Sequence, residues 1–278
     1  MKISIRHEIT APVGQGAQRA VEHLLLTPLS GPSQTIKDWA IEMPGIETAA
    51  RFIDAFGNRA LLVGQTRPDD VLSIVVSGTV ETLDNTGVIG RIPGEPVVAL
   101  YRRVTELTRP DPRLVEAFDG ADRSSSGRIA LFHAVMGEIS ELYRPAEADS
   151  GDAAQRQSGD GQQQGRGAVV TADAETTVPD AAVFAHAFIS TLRAFDIPAR
   201  YVTGYLAAGD DRPAAFHAWA EAWDESLGWI AFDAALGVSP TDRHVRVATG
   251  LDAATTVPVR LVPTGGGVTL GSVVATAQ

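Results

Sequence analysis

The sequence predicts an α+β protein, an N-terminal β-sandwich followed by a mixed core, and three observations carry that expectation. Residues 1–105 read as strands, from alternating residues at the start, a β-branched run and turn residues between the segments. From residue 109 the spacing of apolar residues lengthens to that of helices. Further on, two aromatic-rich strand-like segments each carry one half of an acid–base pair. His217 lies in Phe216-His217-Ala218-Trp219-Ala220-Glu221-Ala222-Trp223, and Asp233 closes Gly228-Trp229-Ile230-Ala231-Phe232-Asp233.

The front half reads as a succession of strands. Ile3, Ile5 and His7 alternate at the start, and Trp39 to Met43 forms a candidate strand closed by Pro44-Gly45. Asp54-Ala55-Phe56-Gly57-Asn58 supplies turn residues ahead of Leu61-Leu62-Val63, and Val71 to Val80 is a β-branched run. A core then spans residues 109–254. Pro112 to Phe118 fits a short helix. Ser126 to Tyr143 fits a longer one, with Ile129, Phe132, His133, Met136, Ile139 and Leu142 at three- and four-residue steps. Ser124-Ser125-Ser126 reads as loop and cap. Residues 145–167, rich in Gly, Gln, Asp and Ser, bury too little apolar surface to offset the entropy of ordering and are expected to form a flexible loop. A helix over 180–195 follows, with Phe184, Phe188, Leu192 and Phe195 on one face, Asp180 at its first turn and Asp196-Ile197-Pro198 as its stop. Residues 255–278 carry closing strands.

Bulk composition narrows the function classes. At 278 residues the length suits about two domains, and 44% hydrophobic residues is enough for ordinary cores. A net charge of −11 argues against nucleic acid or an anionic membrane as partner. No apolar run approaches the ~20 residues that span a bilayer, and the first residues alternate like a strand and lack a signal-peptide core. A cytoplasmic location is the expectation. The chain has no Cys, so disulfides and thiolate metal sites are excluded, and no cofactor or metal motif is found.

The remaining candidates follow from residue type. An imidazole on one strand and a carboxylate on its neighbour form a general base with its orienting group, which assigns those roles to His217 and Asp233. Trp219, Glu221 and Trp229 are expected to border the same cleft; Glu221 shares a strand face with His217 and Trp219. Arg200 is expected to pair structurally with a carboxylate, and His186 and His133 to be structural.

These blocks resemble the transglutaminase-like cysteine enzymes, in the bacterial branch with a small β domain ahead of the core. That family opens its core helix with G-V-C-Q-D-F-A-H and continues with I-P-A-R-Y-V-x-G-Y, H-A-W-A-E-x-W and G-W-x-x-F-D. Here the order is Pro179-Asp180-Ala181-Ala182-Val183-Phe184-Ala185-His186, Ile197-Pro198-Ala199-Arg200-Tyr201-Val202-Thr203-Gly204-Tyr205, then the His217 and Asp233 blocks. Ile5-Arg6-His7-Glu8, Leu24 to Pro28 and Asp54 to Asn58 look like the associated β domain, so the resemblance runs from about residue 3 to 250. It implies a papain-like core in which His217 and Asp233 are the former base and orienting carboxylate and Ala181 stands at the nucleophile position. The Gly, Gln and Asp around that position read Pro179, Ala182 and Val183, a joint loss that a single engineered Cys→Ala change would not leave.

Three functions compete. A non-catalytic domain would bind a peptide or protein through the old cleft. An enzyme of altered chemistry would use His217 and Asp233 with Thr176, Thr177 or a water. A structural scaffold subunit would use its β domain for docking. The first is preferred, because an Ala methyl cannot ionise. Relatives of this architecture are often encoded beside ATP-grasp ligase-like and helical α-E proteins, sometimes near a proteasome-like peptidase. The resemblance therefore implies such partners, in a peptide-tagging or peptide-processing system.

Overall fold

The computed structural model describes residues 1–143, 181–209 and 212–277. The loop expected at 145–167, Thr176, Thr177 and Asp180 lie outside these residues. The front of the chain forms β1 (Lys2–Pro12), β2 (Arg19–Thr27), β3 (Gln34–Glu42), β4 (Ala50–Ile53), β5 (Arg59–Thr66), β6 (Val71–Thr82) and β7 (Val88–Gly90). Helices α1 (Pro112–Ala117), α2 (Arg128–Leu142) and α3 (Ala182–Ala194) follow. Then come β8 (Ala199–Leu206), β9 (Ala215–Asp224), β10 (Gly228–Phe232), β11 (His244–Gly250), β12 (Val259–Val262) and β13 (Thr269–Ala277).

The strands form three sheets, β13-β1-β6-β3, β12-β2-β5-β4 and β11-β8-β9-β10-β7. The first two pack face to face through Ile9, Leu24, Leu61, Val63, Ile74, Val76 and Val259, the period-two residues of five strands. Sequence order and sheet membership diverge at two places. β12 and β13 are not a separate tail, because each completes one sandwich sheet beside β2 and β1. β7, within the front half, pairs with β10 and belongs to the core sheet. Local periodicity shows that a strand exists and says nothing about its partner, so neither pairing was visible in it.

The helices form where capping and apolar spacing favour them. Asp111 caps α1 by accepting from the Arg113 amide (2.9 Å), and Pro112 occupies the first turn. In α2 the buried face is Leu131, Phe132, Val135, Met136 and Ile139, so the stripe lies beside the one read from sequence; His133 and Leu142 are exposed. The α2 N-cap is Gly127, without a side-chain bond, instead of a serine. In α3, Phe188, Ile189 and Leu192 are fully buried, while Phe184 and Phe195 are only partly so.

Sandwich and core are welded. Ile3, Ile5 and Val80 of one sheet and Leu25 of the other share a cluster with Tyr205, Phe216 and Val245 of the core sheet. β11 is an edge strand of that sheet, and two side-chain amides of the sandwich satisfy its free edge. Gln34 accepts from the Arg246 N–H and donates to the Arg246 carbonyl, both at 2.8 Å. Asn58 does the same for Thr249, at 2.8 and 2.7 Å. Each amide replaces one rung of a missing strand.

Candidate functional site

The core sheet places the site. β9 runs antiparallel to β8 and β10, with His217 opposite Gly204, Phe232 opposite Ala220 and Asp233 just past the end of β10. Gly204 is required there, because a Cβ would collide with the Val245 carbonyl and the Trp219 ring. Ala218, Ala220 and Ala222 turn toward α3, and the alternation of the strand sends His217, Trp219 and Glu221 to the opposite face.

His217 and Asp233 come together. Nε2 of His217 lies 2.6 Å from Oδ2 of Asp233. A turn holds the carboxylate in place: the Asp233 N–H donates to the Val238 carbonyl (2.9 Å), and Oδ1 accepts from the Leu236 N–H (3.1 Å). A third member, His244 at the start of β11, was not read from the sequence. Its Nε2 lies 3.1 Å from the same Oδ2. Its Nδ1 accepts from the Thr241 N–H at 3.2 Å, which assigns the ring proton to Nε2 and makes that nitrogen the donor to Asp233. The available signal was a histidine opening a strand eleven positions after Asp233, too general to single out.

Burial alone would raise the Asp233 carboxyl, but hydrogen bonds from His217 and His244, and then their charge, hold it down to about 2. The carboxylate is fully buried, whereas the His217 side chain keeps 10% exposure. With Nε2–H committed to Asp233, neutral His217 presents Nδ1 as an acceptor, the arrangement of a general base. The same three side chains, His217, Asp233 and His244, offer ligand atoms within 4.8 Å of one another, a spacing open to a divalent cation. The donor set fits poorly. A metal on His244 Nε2 would need Nδ1 to carry the proton, and Nδ1 already faces the Thr241 N–H.

Helix α3 points toward this end of the sheet. Near its C-terminus Arg193 donates to the carbonyls of Ala199 (2.8 Å), Tyr101 (2.9 Å) and Leu251 (2.9 Å), and Ala199 pairs with Ala222. Midway, Phe188 stacks on Phe232, opposite Ala220. The N-terminus is therefore directed at the Ala218 level of β9, and Ala181 and Ala182 join the cluster that holds Ala218 and Ala234. Ala181 is the N-cap of α3, buried and with no side-chain cap. His186 is structural: its Nε2 accepts from the Ala253 N–H (3.0 Å), and burial lowers its pKa to about 4.

The three residues expected at the cleft fare differently. Trp219 packs behind the histidines, its ring 5.3 Å from His244 and 6.3 Å from His217, and at 3% exposure it is interior. Trp229 is not a cleft residue. It is 1% exposed, edge-on to Tyr101, and covered by the Arg200 guanidinium at 3.9 Å. Glu221 is equally interior: it accepts a hydrogen bond from Arg200 Nε at 2.6 Å and forms an ion pair with Arg246 Nε at 3.0 Å. Burial works against the Arg200 charge, and Glu221 followed by Glu95 more than offsets it. Strand alternation assigned Glu221 the right face, but that face is covered by residues around Ile89. What remains beside Trp219 and Glu221 is a cavity of about 20 Å³, the space of roughly one water.

Comparisons with known proteins agree with this architecture. Residues 3–81 match the family model of the bacterial transglutaminase-like N-terminal region, and residues 148–234 match that of the transglutaminase-like superfamily. Over 260 residues the chain is 27% identical to an uncharacterized protein of Mycobacterium leprae (strain TN), covering 88% of this chain and 86% of that one. A crystal structure from Cytophaga hutchinsonii, described provisionally as a cysteine protease, covers 99% of this chain with a TM-score of 0.65. It spans 89% of that chain at 22% identity, a likeness of fold alone. No helix among the described residues is long and apolar enough to cross a membrane. The chain therefore carries a transglutaminase-like core joined to a bacterial transglutaminase-like N-terminal region.

Proposed function

We propose that this protein is a non-catalytic member of its superfamily, which binds a peptide or protein segment beside His217 as a subunit of a peptide-processing or peptide-tagging system. One observation carries the reading: the His217–Asp233 pair is assembled at 2.6 Å in a chain of 278 residues without a cysteine. A base so placed has no thiol to deprotonate, and the methyl of Ala181 at the head of α3 supplies none. Loss of the nucleophile from a triad costs on the order of a millionfold in rate. What survives is recognition. The free Nδ1 of His217 is an acceptor for a peptide N–H. The partners implied by the resemblance, ATP-grasp-like and α-E-type proteins, belong to this proposal, as does the scaffold role they would give the β domain.

The test combines turnover with binding to an immobilised peptide library. Wild type and Ala181→Cys are expected to release no product from amide, ester or amine-acceptor substrates. Wild type should retain a defined peptide subset that a folded His217→Ala variant loses. Turnover by the wild type that disappears in His217→Ala would refute the proposal and establish water-based chemistry at the dyad. Equal peptide retention by both proteins would remove the cleft from the function.

A further inference from the structure

A pocket of about 190 Å³ lies where sandwich and core meet, on the sheet face away from α3. Its walls come from the β2–β3 connection, the β4–β5 turn, the segment after β7, and β11. Domain junctions are where small-molecule sites concentrate. A closed apolar cavity of about 150 Å³ accommodates benzene, so this one has room for a small molecule with one bulky side chain.

Two properties point to the chemistry of the occupant. One half is apolar, formed by Phe56, Ile89, Ile92 and Val247. The other half is an ion pair seen from the side: Glu95 and Arg246, 3.3 Å apart, whose side chains keep 15% and 17% exposure. Behind them Arg200 binds Glu95 at 2.9 Å, and Glu221 binds Arg246 at 3.0 Å, both wholly buried. Two guanidinium and two carboxylate groups balance, so a ligand of net charge would leave an excess in a half-buried place, and a zwitterion would not. The walls are also pre-set. Gln34 and Asn58, both in the lining, are each locked onto β11 by paired bonds, so little order has to be gained on binding.

We propose that this pocket is a ligand site for a small zwitterion of the α-amino-acid class with an apolar side chain. The ammonium group meets Glu95, the carboxylate meets Arg246, and the side chain enters the apolar half. The pocket shares Ser33, Ile89 and Arg246 with the small cavity beside Trp219 and His244, so an occupant sits behind the wall of the dyad, outside the peptide cleft.

The experiment is calorimetric titration of the full chain with L-leucine and L-phenylalanine, beside N-acetyl-leucine and leucinamide, which each lack one charge. The free amino acids should bind at a Kd of about a millimolar or tighter, and each blocked compound at least about tenfold more weakly. Gly31→Phe fills the mouth. Gly31 is exposed, and a Cβ there meets no atom within 4 Å. This variant should keep the wild-type Tm and lose the binding. Ile92→Trp provides a second plug should the first shift the Tm. His217→Ala should bind the amino acids as wild type does, which separates this site from the cleft. Absence of saturable binding, equal binding of the blocked compounds, or binding indifferent to both plugs would overturn the assignment.

Discussion

The eight-stranded sandwich and the five-stranded core sheet differ in what they bury. Between the sandwich sheets lie Ile9, Leu24, Val63, Ile74 and Val76, an aliphatic layer that needs no directional partner. Its buried acid, Glu22, has its carboxyl pushed up by burial, toward the neutral form. The core sheet and the helix packed on it bury Arg193, Arg200, Glu221, Asp233 and His217 and keep them bonded. Aliphatic packing holds two sheets together without fixing where one atom must point. The bonded charges fix that, and Arg200, Glu221, Asp233 and His217 cluster on the face that bears the dyad.

The largest blow to this contrast should come from Glu221→Ala. It leaves the wholly buried Arg200 with Glu95 alone, and breaking a buried pair costs about 3–5 kcal/mol. Ile74→Ala, the sandwich counterpart, should cost roughly 2–5 kcal/mol through its cavity alone. Urea midpoints measure both; a Glu221→Ala cost below that of Ile74→Ala would show that the core network contributes little. Acid should separate the regions next. His7, buried where sandwich meets core, and His186 in the core both have pKa values lowered to about 4, and desolvation is the chief cause. The unfolded chain binds their protons first, so stability falls as pH drops from about 6.5 to 4, by on the order of 3 kcal/mol for each histidine. His7→Phe and His186→Phe should each flatten that slope. Asp233 acts lower. Its folded pKa near 2 means that its contribution, present at neutral pH, is lost as pH falls from about 4 toward 2. The smallest effect belongs to His217→Ala, about 1 kcal/mol, because Asp233 keeps His244 and the Leu236 N–H. A cost several times larger would make His217 a structural residue and count against the cleft.

Legibility in the sequence follows the range of the interaction. The β-branched run from Val71 to Val80 and the helical spacing along α3 are properties of neighbouring residues, and both elements lie where they were read. His217 and Asp233 were legible because the first stands near the start of one short aromatic block and the second closes another, and the pairing of β9 with β10 brings those blocks together. His244, Gln34 and Asn58 were not. Each has its role only through a partner that the fold delivers: Asp233 for the first, β11 for the other two. Glu221 shows the same limit in reverse. Its strand face was predicted, but what covers that face comes from residues far away in the chain.

One feature of the topology sets the order in which this protein can be built. β1 is paired on one side with β6 and on the other with β13, where Ile3 lies opposite Ala277; β2 likewise waits for β12. A nascent chain leaving the ribosome therefore exposes two unfinished sheets, each with an unpaired inner strand, throughout synthesis of the core. Open strand edges of that kind are templates for association with other chains. Folding of the sandwich ahead of the core is closed to this molecule: the sandwich is begun before the core is translated and completed only after it.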